Sequence, residues 1–139
     1  MKILPVQHIR EADAYTIQHE PVSGIDLMER ASSACFNWLK ANISPERTIN
    51  VFCGSGNNGG DGLAIARMMS EAGFQVRVFT FSPPGMMSES CRINFLRMQE
   101  CRNAGMRECR EMSDLGGIDR IPGGDVVIDA LFGSGLSRP

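Results

Sequence analysis

A chain of 139 residues with 42% apolar and 22% charged residues has the size and makeup of one soluble globular domain with a real core. Its net charge of −2 gives no electrostatic basis for binding nucleic acid or an anionic membrane. No apolar run approaches the length of a membrane span or a signal peptide, so a cytoplasmic protein is expected.

In chain order, Ile9 to Gln18 has helical periodicity. A second helix is marked by Ser23 as a cap and Asp26 in the third-residue place of a capping box, with Ile25, Met28, Ala31, Ser32, Cys35 and Leu39 on one stripe. Ser44 to Arg47 reads as a turn and Thr48 to Cys53 as a first buried strand. The segment Gly54 to Gly62 follows, with five glycines interleaved with Asn57, Asn58 and Asp61. Such a loop is costly in backbone entropy. It lets a ligand lie against bare amides at the positive end of a helix, which predicts an anion or phosphate site. The plain alternative is a tight strand-to-helix turn without a ligand.

Leu63 to Met69 is the apolar helix expected after that loop, stopped by Ala72-Gly73. Phe74 to Phe81 is a β-branched and aromatic strand, and Ser82 to Gly85 ends it. Ser88 to Ala104 reads as a helix with Ile93, Leu96 and Met98 inward. Met106 to Arg110 reads as a short strand, Ser113 to Gly117 as a short turn or helix, and Asp125 to Phe132 as a last buried strand running into Gly133. Alternating strands and helices with near-continuous apolar strands predict an α/β fold: a Rossmann-like, doubly wound parallel sheet with helices on both faces, preceded by N-terminal helices. Crossovers of one hand bring both glycine-rich loops to the carboxyl edge of that sheet.

Gly54, Gly56 and Gly59 satisfy the spacing of a dinucleotide fingerprint. The second strand, however, ends Thr80-Phe81-Ser82-Pro83 without the acid that a standard dehydrogenase needs for the ribose. Asn57, Asn58 and Asp61 offer oxygens to a hard cation, or else cap the helix. Asp129, set in a strand read as buried, must be paired, hydrogen-bonded to the neighbouring loop amides, or metal-bound. The five cysteines form neither a C-x-x-C pair nor a zinc pattern, and His8 and His19 read as surface residues.

The run Gly54-Ser55-Gly56-Asn57-Asn58-Gly59-Gly60-Asp61-Gly62, the run Val127-Ile128-Asp129-Ala130-Leu131-Phe132-Gly133-Ser134-Gly135-Leu136 and the Leu27-Met28-Glu29-Arg30-Ala31 helix closely resemble the NAD(P)H-hydrate epimerase family, the YjeF N-terminal domain. The resemblance spans residues 1–139. It implies an isomerase that interconverts the R and S forms of hydrated NADH and NADPH, the hydrate being substrate rather than cofactor. It implies substrate contacts from Asn57, Asn58, Gly59, Gly60 and Asp61, and from Gly133, Ser134, Gly135, Leu136, Ser137, Arg138 and Pro139. It further implies one potassium ion (K+) per subunit at Asn58 and Asp129, and a homodimer. The family domain continues past Pro139 into a strand with a Val-Asp-x-Pro-Ser-Gly-like motif that supplies an acid, so the catalytic acid is expected beyond this C-terminally incomplete domain. A non-catalytic nucleotide-binding or dimerisation module is the alternative from another class.

Overall fold

The computed structural model describes residues 5–20, 22–101, 104–108 and 121–133. Helix α1 (Val6–His19) and helix α2 (Gly24–Asn42) precede strand β1 (Ile49–Cys53); helix α3 (Asn57–Glu71) leads to strand β2 (Val76–Thr80). A single 3-10 turn (Pro84–Met86), helix α4 (Glu89–Gln99), strand β3 (Ala104–Glu108) and strand β4 (Val126–Ala130) complete the described elements. All pairings are parallel and the order is β3-β2-β1-β4. The chain therefore reverses its direction of travel between β1 and β4. Ligands of doubly wound sheets lie at that switch point.

Strand periodicity explains the layering. Ile49, Val51 and Cys53 of β1 and Val76 and Val78 of β2 are buried on one face, where they meet Leu63, Ala66 and Met69 of α3 and Cys91, Phe95 and Met98 of α4. Phe36, Leu39 and Ile43 close this core from α2 and its C-terminal end. Among the described residues, the helices that pack on the sheet do so on this face. The opposite face carries a stack of Phe52 on Phe79, with ring centroids 5.0 Å apart, and an exposed Val127.

Several expectations hold. Ser23 caps α2 by accepting from the Asp26 amide, and its hydroxyl donates to the Asp26 carboxylate at 2.6 Å. Gly73, at φ 91°, stops α3 just beyond Ala72. His8 and His19 are exposed, the latter stacked on Tyr15.

Others need correction. Helix α3 starts at Asn57, so the second half of the glycine run is helix rather than loop. On α2, Cys35 and Ala31 are exposed and Phe36 takes the inward place. On α4, Leu96 is exposed, while Asn94 and Phe95 face inward. That helix also ends at Gln99, short of Ala104. The turn expected at Ser113 to Gly117 lies outside the described residues.

Candidate functional site

The carboxyl ends of β1 and β4 are locked together. The Gly54 amide donates to the Ala130 carbonyl at 3.0 Å, and Asn58 Nδ2 donates to the Phe132 carbonyl at 3.0 Å. The approach is so close that a Cβ on Gly54 would lie 2.0 Å from the Leu131 oxygen, and one on Gly59 would lie 2.0 Å from the Gly54 oxygen. Gly60 and Gly62 answer a different need, since Cβ atoms there would meet Met28 and Cys91, or Ala130 and Cys53. Gly56 alone of the five has nothing within 4 Å of such an atom. Glycine density is thus mostly a packing requirement, and Gly56 marks where backbone stays open to a ligand.

A cavity of about 440 Å³ opens here, lined by Gly56, Asn57, Asn58, Gly59, Asp61, Leu131 and Gly133, with Arg10 and Asp13 of α1 at its border. An adjoining apolar recess of about 250 Å³ shares Asp13, Asn57 and Asp61 and is walled by Ile17, Leu27 and Met28. The Asn57, Asn58 and Gly59 amides stand at the start of α3, ahead of its first backbone bond, from Gly60 to Gly56. The positive end of that helix faces the cavity, an arrangement suited to an anion.

Asp61 is the most perturbed carboxylate of the site. Burial lifts its carboxyl above the ordinary value; the Ser32 hydroxyl, donating to Oδ1 at 3.2 Å, draws it partly back, and the Asp13 carboxylate adds to the rise. The folded chain therefore binds this proton more tightly than the unfolded chain. Stability linked to Asp61 is present in full below the unfolded carboxyl value, about 3.9, and is lost as pH rises through the raised folded value. An Asp61→Asn variant keeps the acceptor for Ser32 and cannot ionise. We expect it to melt higher than the parent at pH 7, with the gap closing toward pH 3. Melting curves at the two pH values check this, and a gap independent of pH would refute it.

Asp129 is not buried as expected. Strand β4 alternates, with Val126, Ile128 and Ala130 turned to the helices and Val127 and Asp129 to the exposed face. Its Oδ1 accepts from the Leu131 amide at 3.0 Å, the structural reading of that carboxylate, and it does not line the cavity. Of the second glycine-rich loop, Gly133 lines the cavity; Ser134, Gly135, Leu136, Ser137, Arg138 and Pro139 lie outside the described residues. Among the described residues no group of three or more His, Cys, Asp or Glu is placed to hold a metal. The thiols of Cys53 and Cys91 are buried core groups; desolvation raises both, Cys91 to about 11. Arg10 and Asp13 are the site residues that sequence reasoning missed. Both are exposed side chains of a helix with no buried residue, so no local pattern marks them.

Parallel strand order and a glycine-lined crevice at the switch point define an α/β domain of the Rossmann-like class. The chain belongs to the family described as YjeF-related protein N-terminus, whose model matches residues 24–139. Among curated relatives, it is 32% identical over 153 residues to an NAD(P)H-hydrate epimerase of Roseobacter litoralis, covering 99% of this chain and 66% of that protein. It is 31% identical to one of Rhodopirellula baltica, covering 96% of this chain and 52% of that protein. A bifunctional NAD(P)H-hydrate repair enzyme Nnr of Thermofilum pendens is 34% identical, with 100% of this chain and 26% of that protein covered. The chain thus spans from about a quarter to just under two thirds of the length of these relatives. The crystal structure of yeast ynu0 shares the fold, with a TM-score of 0.76 at 20% identity over 100% of this chain and 60% of that one.

Proposed function

We propose that this domain binds hydrated NADH and NADPH in the switch-point cavity and interconverts their R and S forms. The observation that carries the reading is the cavity where Gly56, the α3 N-terminus, Asn57, Asn58 and Asp61 converge, in a chain whose relatives bear the name NAD(P)H-hydrate epimerase. Phosphate would lie against the α3 amides. Gly59, Gly60 and Asp61, with Gly133 and the run Ser134 to Pro139, complete the proposed substrate contacts.

Inversion at C6 of the hydrate needs departure of the hydroxyl as water and its return to the other face of an iminium-like cation. A group that gives a proton and takes it back serves both steps. Asp61 suits that role better than Asp129, because it lines the cavity and its proton is held above the ordinary carboxylate value. In this reading Asn58 and Asp129 would hold potassium. The bonds to Phe132 and Leu131 leave Asn58 Oδ1 and the second Asp129 oxygen to it, and hard oxygen donors suit an alkali ion. The reading also takes the chain as a cytoplasmic homodimer acting on a free dinucleotide, with neither nucleic acid nor membrane as partner. The net charge of −2 supports the latter, as does the lack, among the described residues, of a helix long and apolar enough to cross a membrane.

Chromatographic separation of the R and S hydrates tests the proposal. Conversion faster than in buffer, reduced about a hundred- to ten-thousand-fold in Asp61→Asn, is the expected result. A rate equal to that in buffer overturns catalysis by this chain. Binding of ADP-ribose without conversion would instead indicate a non-catalytic nucleotide-binding module.

A further inference from the structure

The first turn of α4 reaches into the glycine loop from behind. Ser88, the N-cap of α4, makes three bonds at once. Its amide donates to the Ser55 carbonyl at 2.8 Å, its hydroxyl donates to Asn57 Oδ1 at 2.8 Å, and its oxygen accepts from the Cys91 amide at 3.3 Å. One turn on, the Cys91 thiol lies 3.6 Å from the Gly54 carbonyl. The Gly54 and Ser55 carbonyls, just ahead of the cavity-lining Gly56, are therefore engaged by α4. With its oxygen held by Ser88, the Asn57 side chain has its two N–H donors left to offer. In this arrangement the half-buried hydroxyl engages the oxygen end of the amide, which leaves that position a donor rather than an acceptor.

We propose that Ser88 is a positioning residue: by holding Asn57 Oδ1 and the Ser55 carbonyl, it commits the β1–α3 turn to donating toward the phosphates of a dinucleotide. This rests on the functional reading of the same cavity. Capping and positioning are separable by substitution. Threonine keeps the hydroxyl for both, glycine replaces serine well as a helix N-cap but has no hydroxyl, and alanine loses both.

The test is calorimetric titration of ADP-ribose into the parent chain and the Ser88→Thr, Ser88→Gly and Ser88→Ala variants, alone and combined with Asn57→Ala, alongside melting curves. We expect Thr to bind within about twofold of the parent, and Gly and Ala each to bind about tenfold more weakly, the size of one hydrogen bond lost. Ala alone should also melt markedly lower. In the Asn57→Ala background the Ser88→Gly loss should vanish, since the group being oriented is gone. Parent-like binding by Ser88→Gly, or an equal loss in both backgrounds, overturns the positioning role and leaves the functional reading standing. Failure of the parent chain to bind ADP-ribose overturns both.

Discussion

Gly54→Ala and Gly59→Ala are each expected to destabilise the fold by about 3 kcal/mol or more, a drop of roughly 10 °C in melting temperature for a domain of this size. A methyl on Gly54 would sit 2.0 Å from the Leu131 carbonyl oxygen of the neighbouring loop. One on Gly59 would sit 2.0 Å from the Gly54 carbonyl oxygen of its own turn, and backbone cannot swing aside as a side chain can. Neither position has a positive φ, so the penalty is one of space rather than of dihedral strain. Gly56→Ala is the control. It meets no atom within 4 Å and should cost less than about 1 kcal/mol. Denaturant or thermal melts of the three variants decide the matter; similar stabilities would mean that the backbone is not packed as closely at Gly54 and Gly59 as described. The same geometry gives a stability cost to any larger residue at Gly59, whether or not a phosphate lies nearby.

For Asn58→Asp the loss is expected in binding rather than in folding. The Asn58 amide donates across the crevice to Phe132, and a carboxylate there would set negative charge against that carbonyl. It would also add to Asp13 and Asp61 around the same cavity. An acidic residue in the first turn of a helix is favourable and offsets the lost bond to Phe132, so the fold should hold to within about 1 kcal/mol. Affinity for ADP-ribose should fall on the order of tenfold, from the repulsion between the new carboxylate and the anion. Titration with melting curves in parallel measures both, and unchanged affinity would remove Asn58 from the site.

Particular residues show what was legible in the sequence. The apolar runs Ile49 to Cys53 and Val76 to Thr80 and the glycine-rich turn led to a parallel sheet with its loops at one edge, because each signal is local and strong. The start of α3 was not legible. Asn-Asn-Gly-Gly is poor helix by propensity, and it is helical here because Gly60 and Gly62 let α3 press against Met28, Cys91, Cys53 and Ala130. Asp129 misled for a related reason. Its Val and Ile neighbours suggest burial on both sides, whereas among the described residues β4 is covered on one side and the period of two sends Asp129 outward. Asn94 is wholly buried, its amide donating to the Met28 sulfur at 3.2 Å, and a polar residue on a mixed helix announces nothing of the kind.

The position of β4 beside β1, with β2 and β3 filling the other flank, also bears on how the site comes into being. Strands β1, β2 and β3 can pair in succession through short crossovers, each closing a modest loop. Strand β4 must return from the far end of the described chain to meet β1, and that closure carries the largest entropy cost. It is secured by Val126 donating to the Thr48 carbonyl at 2.9 Å and by Asn50 donating to Asp125 at 3.1 Å. Leu131 and Gly133, which follow β4, form one wall of the crevice, so a chain in which only β1 to β3 have paired lacks that wall. The pocket is completed when β4 pairs with β1, and a bound dinucleotide that touches both walls would stabilise that closure.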